Sequence, residues 1–125
     1  VISFLLGANI AVCALDGACP ALRDRMEAYE PGEVAISATS LAEVAYGSWT
    51  GKPPAPEVLD AFVASIPLVP FDEAVAREYA RLPFRRARFD RLLAAHALSS
   101  GATVVTNTES DFADVPGLMV ETLTV

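Results

Sequence analysis

Short apolar runs alternate with helix-period stretches along the whole chain, and no other feature narrows its fold as much. VISFLL (Val1–Leu6), Val34–Ser37, PLVPF (Pro67–Phe71), ATVVT (Ala102–Thr106) and Leu118–Thr122 have the length and composition of strands. Between them lie helical stretches at Asn9–Leu15 and Pro20–Tyr29, then one capped by Ser37, Thr39 or Ser40. Ser40 with Glu43 matches the S-x-x-E capping box. Leu59, Phe62, Val63 and Ile66 share one face of the stretch Glu57–Ile66. Asp72 caps a helix running to about Leu82, and Phe89–Ser100 forms a last helix that Gly101 ends. Strand–helix alternation predicts an α/β fold: a central parallel sheet of four to five strands flanked by helices in three layers. The apolar fraction of 53% suits a sheet buried on both faces. The 125 residues are expected to form a single domain, 1–125. Gly51–Pro56 (GKPPAP) is read as a Pro-rich hinge.

No apolar run reaches the ~18–20 residues that span a bilayer, so no membrane role and a cytoplasmic location are expected. Cys13 and Cys19 match no zinc spacing, and two free thiols are expected. The chain has no G-x-G-x-x-G, no P-loop, no D-x-D after the first strand and no G-x-S-x-G elbow. Dinucleotide, nucleoside-triphosphate, aspartyl-phosphate and serine-hydrolase chemistries are thereby set aside.

Open α/β sheets bind ligands beyond the carboxyl ends of their strands, and acids remain there. Glu43 follows the second strand, Asp90 opens the helix before the fourth, and Asp111 follows the fourth with Glu109 nearby. Each has an ordinary use alone: Glu43 in a capping box, Asp90 at a helix N-terminus, Asp111 in a loop. Together they are a donor set for Mg2+ or Mn2+, which could polarise a phosphate and activate water.

A net charge of −7 works against nucleic-acid binding. Six of the nine basic residues nevertheless fall in one stretch: Arg77, Arg81, Arg85, Arg86, Arg88 and Arg91. Arginine suits bidentate phosphate contact; a salt-bridged, solvated helix face is the alternative use.

These segments resemble the PIN-domain ribonucleases, and among them the VapC toxins, over nearly the whole chain. ISFLLGANI is similar to the opening strand and its L-D-T-N-[IV] motif, and AISATSLAEVAYG to the segment carrying the second acid. FDRLLAAHALSSGATVVTN is similar to the helix and strand carrying the third acid, and TESDFADVPGLMVE to the closing segment. The resemblance implies a PIN-like fold and a Mg2+-dependent endoribonuclease, with Glu43, Asp90 and Asp111 as catalytic and metal-binding residues. It further implies Asn9 and Asn107 as supporting polar groups, a homodimer, and neutralisation by a cognate VapB-like antitoxin. Arg81, Arg85, Arg86, Arg88 and Arg91 are the expected RNA contacts, and His96, within A-A-H-A, is expected to be structural.

The chain departs from the pattern at its first acid. Gly7 stands where the family has aspartate, and Ala8 where it has threonine. The Leu82–Asp90 stretch is short, and the chain ends ETLTV without the usual tryptophan. Loss of one carboxylate ligand is expected to weaken Mg2+ binding. An inactive PIN-fold protein that only binds an antitoxin or RNA is therefore the alternative function.

Overall fold

The computed structural model describes residues 2–15, 20–30, 32–82 and 88–122, with backbone alone at 20–23 and 88. Five strands are present: β1 (Phe4–Leu6), β2 (Val34–Ser37), β3 (Leu68–Val69), β4 (Thr103–Thr106) and β5 (Val120–Thr122). The helices are α1 (Ala8–Leu15), α2 (Pro20–Glu27), α3 (Ala38–Trp49), α4 (Pro56–Ser65), α5 (Glu73–Ala80) and α6 (Arg88–Ser100). A 3-10 turn occupies Glu109–Phe112. The strands form one sheet in the order β3-β2-β1-β4-β5, and every pairing is parallel. This is the expected α/β architecture.

Alternation within the strands divides the core between two faces. Leu6, Val34, Ile36 and Val105 pack with Ile10 and Ala11 of α1, Val44 of α3, and Leu59 and Phe62 of α4. Leu5, Ala35 and Val104 pack with Leu93, Ala94 and Ala97 of α6 and with Phe112 and Val115 beyond the 3-10 turn. Helices α1, α3, α4 and α6 thus follow from apolar stripes at helical spacing that a sheet face covers.

Local signals set the boundaries. Gly101 adopts φ 67°, and Ala102 N–H donates to the Ala97 carbonyl at 2.9 Å. That left-handed exit from α6 favours glycine, as the sequence suggested. β3 is shorter than the apolar run PLVPF because prolines at 67 and 70 bracket it and donate no backbone hydrogen bond. Cys13 is disulfide-bonded, so the expectation of free thiols does not hold there; Cys19 lies outside the described residues. Among the described residues, no helix is long and apolar enough to cross a membrane.

Chain order places the candidate site. From β1 the chain moves outward through β2 and β3, then returns to the other side of β1 for β4 and β5. The strand order reverses between β1 and β4, and a doubly wound sheet opens a crevice there at its carboxyl edge. Gly7 and Asn107, the residues just past these two strands, stand at that edge.

Candidate active site

Three elements bring the predicted acids to that edge. Glu43 lies in the second turn of α3, and the N-cap of this helix is Ser37, whose Oγ accepts from Ser40 N–H at 3.1 Å. The Ser40–Glu43 capping box therefore does not form: the cap stands three residues earlier, leaving Glu43 beyond its reach. Asp90 lies in the first turn of α6. Asp111 lies in the 3-10 turn, anchored by buried Phe112 and by Asp111 N–H donating to the Thr108 carbonyl at 3.1 Å.

Electrostatics link the three. Burial raises the carboxyl pKa of Glu43, and Asp90 raises it further. Burial likewise raises that of Asp90; Asp111 adds to the effect and Arg91 opposes it. Asp90 is thus the centre of a chain of like charges, Glu43–Asp90–Asp111, short of countercharge. A hard divalent cation supplies what such a set lacks, and oxygen donors are its preferred ligands. Among the described residues, no three His, Cys, Asp or Glu side chains already converge as a preformed cage. The chemistry of the donors fits a cation, while their convergence is incomplete.

Gly7, the residue that departs from the family pattern, stands between β1 and α1 at the same edge. Its N–H donates to the Val105 carbonyl at 2.9 Å, and its own carbonyl accepts from Ala11 N–H at 3.0 Å. It therefore caps α1 from the end of β1. A β-carbon here would lie 3.3 Å from the Val105 oxygen and 3.8 Å from Leu93 Cδ2. Leu93 is one turn beyond Asp90 on the same side of α6, so a side chain at position 7 would extend towards the α6 acid.

The supporting groups fall on either side. Asn9, on α1, lines a groove of about 520 Å³ with Glu43, Val44, Tyr46, Gly47, Lys52 and Pro53. Asn107 is exposed directly after β4. Thr106, just before it, is buried, and its Oγ1 accepts from Thr108 N–H at 3.1 Å, which turns the chain into the Asp111 segment. Gly51–Pro56, expected as a hinge, starts as an ordered turn. Lys52 N–H donates to the Gly47 carbonyl at 2.8 Å, and Lys52 and Pro53 form the groove wall.

The arginine stretch is not the uniform basic surface its sequence suggested. Arg77 pairs with Glu73 at 2.7 Å, and Arg81 with Glu78 at 3.6 Å. Arg85 and Arg86 lie outside the described residues, as does the Arg88 side chain. Arg91 requires a correction. It is only 2% exposed, its Nη2 donates to Asp114 Oδ1, and its Nε and Nη1 are buried with no partner among the described residues. It is a buried structural cation and does not face a polyanion. Its period on α6 carried the signal, since Ala94, Ala95 and Leu98 follow it at i+3, i+4 and i+7 and the two alanines are fully buried. Sequence reasoning also gave no site role to Tyr46 or Lys52, which share the groove with Glu43. His96 is fully buried and packs edge-on against Phe71, centroids 6.2 Å apart, as a structural residue would.

A family model described as the PIN domain matches residues 8–118. The chain belongs to the PIN-domain family. This PIN domain is 29% identical over 130 residues to the "tRNA(fMet)-specific endonuclease VapC" of Shigella flexneri, covering 97% of this chain and 98% of that protein. It is 27% identical over 128 residues to "Ribonuclease VapC2" of Rickettsia felis, covering 94% and 96% respectively. Among solved structures, VapBC2 of Rickettsia felis bound to a promoter DNA fragment superposes with a TM-score of 0.87 at 28% identity, covering 98% of this chain and all of that one. DNA-bound VapBC of Salmonella typhimurium gives 0.83 at 25% identity, covering 98% of each chain.

Proposed function

We propose that this PIN domain is the toxin of a toxin–antitoxin pair, an endoribonuclease that hydrolyses RNA phosphodiester bonds using Mg2+ or Mn2+ held by Glu43, Asp90 and Asp111. The observation that carries the proposal is the electrostatic chain Glu43–Asp90–Asp111 at the carboxyl edge of the sheet. Relatives named as endonuclease and ribonuclease, alignable over nearly the full chain, support the same chemistry. A bound divalent cation supplies charge neutralisation at the phosphate and a more acidic water.

The protein's own groups do the rest. Asp90, coupled to both other acids, would hold the cation together with Asp111. Glu43 would complete the shell or orient the attacking water, whose oxygen bonds to phosphorus as the bond to the leaving nucleoside oxygen breaks and that oxygen takes up the water's proton. Asn9 and Asn107 hydrogen-bond phosphate oxygens without adding charge. Arg81, Arg85, Arg86 and Arg88 remain the arginines proposed to guide the RNA backbone. A VapB-like antitoxin binding over the site silences it, and a homodimer belongs to the same reading.

The test is cleavage of single-stranded RNA by the purified, antitoxin-free protein. Cleavage should require Mg2+ or Mn2+, stop with chelator and fall at least 100-fold in Asp90→Asn. A folded wild type that leaves RNA intact under all these conditions would sink the proposal. Gly7 favours a second reading, a PIN-fold protein that binds antitoxin or RNA without cutting. Its signature is an inactive wild type that gains activity on Gly7→Asp.

A further inference from the structure

The acidic site needs a way to hold a polyanion on a protein of net charge −7. The arginine stretch supplies less of it than its composition suggests. Arg91 is buried, and Arg77 and Arg81 already face glutamates. An acidic protein can still grip single-stranded nucleic acid by stacking, which is sequence-tolerant and less dependent on net charge.

The last two turns of α3 have what stacking requires. Tyr46 is 72% exposed and Trp49 is 89% exposed, although both are large aromatics in an otherwise apolar chain. Three residues apart on one helix, they are neighbours on its surface. Tyr46 also lines the groove that holds Glu43 and Asn9, so this aromatic surface is continuous with the acidic site. Lys52, the only lysine in the sequence, lies in the same groove wall. A cleft of about 520 Å³ is within the range of small-ligand sites (~300–1,000 Å³).

We propose that Tyr46, Trp49 and Lys52 form a nucleotide subsite at the mouth of the Glu43 groove: the rings stack on unpaired bases and the lysine ammonium pairs with the adjoining phosphate. The subsite rests on the ribonuclease reading and adds to it the residues that hold the chain, which engage unpaired bases because paired bases do not offer their faces to a ring. It places the chain-holding contacts on α3, next to Glu43.

The chain contains one tryptophan, so Trp49 emission reports on the subsite directly. The experiment titrates Asp90→Asn protein, in Mg2+, with a labelled single-stranded oligoribonucleotide, following tryptophan emission and label anisotropy together. Saturable quenching that tracks anisotropy is expected, with weaker binding to a blunt RNA duplex. Tyr46→Ala in the same background should raise Kd about 5- to 100-fold with Tm unchanged. Lys52→Gln should reduce the salt slope of log Kd by about 0.7.

RNA that binds with Trp49 emission and Tyr46→Ala affinity both unaltered would overturn the subsite and leave the ribonuclease reading standing. An RNA-independent blue shift that grows with protein concentration would also overturn it, assigning the aromatic pair to an interface between copies. Neither binding nor cleavage of any RNA, by variant or wild type, would remove the ribonuclease reading and the subsite with it.

Discussion

At the scale of single residues, two acids at the carboxyl edge of the sheet are held short of countercharge. Glu43 and Asp90 both have raised pKa values, first through burial and then through a like charge. A carboxyl whose pKa is higher in the folded state favours folding when protonated. That contribution is present below the unfolded pKa and is lost as pH rises through the folded one. Without a metal, Asp90→Asn should therefore raise Tm at pH 7.5 by roughly 1–3 °C, and the gain should shrink as pH falls towards 4. Calorimetry of both proteins across that range checks the sign. Gly7→Asp acts in the opposite sense. Gly7 has no backbone conformation that excludes a side chain, and its β-carbon meets one tight contact, the Val105 carbonyl at 3.3 Å. The substitution adds charge to a set already short of countercharge. We expect a slightly lower metal-free Tm and about tenfold tighter Mn2+ binding, read by isothermal titration.

At the scale of elements, the pair of buried Arg91 and half-buried Asp114 ties α6 to the closing segment. Arg91 follows Asp90, and Asp114 stands three residues after Asp111, so the pair joins the two elements that carry the central acids. Asp114→Asn strands the buried Arg91 charge and should cost about 2–4 kcal/mol by urea unfolding. Arg91→Met, which leaves only a half-exposed carboxylate, should cost less, and the double variant Arg91→Met/Asp114→Leu should recover at least half of the Asp114→Asn loss. Equal losses in all three would show that packing, not charge, holds the joint. Arg91 also shows where the sequence stops being legible. A run of arginines announces a basic surface, yet the period of α6 turns this one inward, and only its distant partner explains how the charge is tolerated. Strands β2 and β4 were readable because uninterrupted β-branched and small apolar residues fill both faces of a parallel sheet. β3 was over-read because two prolines confine its pairing to Leu68–Val69. The sequence offers three hydroxyl caps for α3 within four positions, and the chain's path out of β2 selects Ser37. The acids were found from their place after strands, whereas Lys52 joins Glu43 only through the turn that folds it back on Gly47.

At the scale of the whole molecule, two opposed titrations shape stability. His96 is fully buried, neither ring nitrogen has a hydrogen-bond partner among the described residues, and its pKa is lowered by burial, which Asp72 opposes. A histidine whose folded pKa is depressed adds stability above its unfolded value of about 6.5 and loses it as pH falls below. The acidic site works the other way, so the wild-type pH profile should be flatter than that of Asp90→Asn, which should lose Tm more steeply from pH 7 to 5. His96→Leu should remove that acid-side loss. Position along α6 makes both features compatible: His96 is fully buried in its middle, whereas Asp90 is half-buried in its first turn. The central claim is that Glu43, Asp90 and Asp111 act as one divalent-cation site despite Gly7. The most direct measurement is Tm against Mn2+ concentration for the wild type and Asp90→Asn. The account predicts a saturable rise of several degrees in the wild type that is absent in Asp90→Asn; superimposable curves, flat or rising alike, would contradict it.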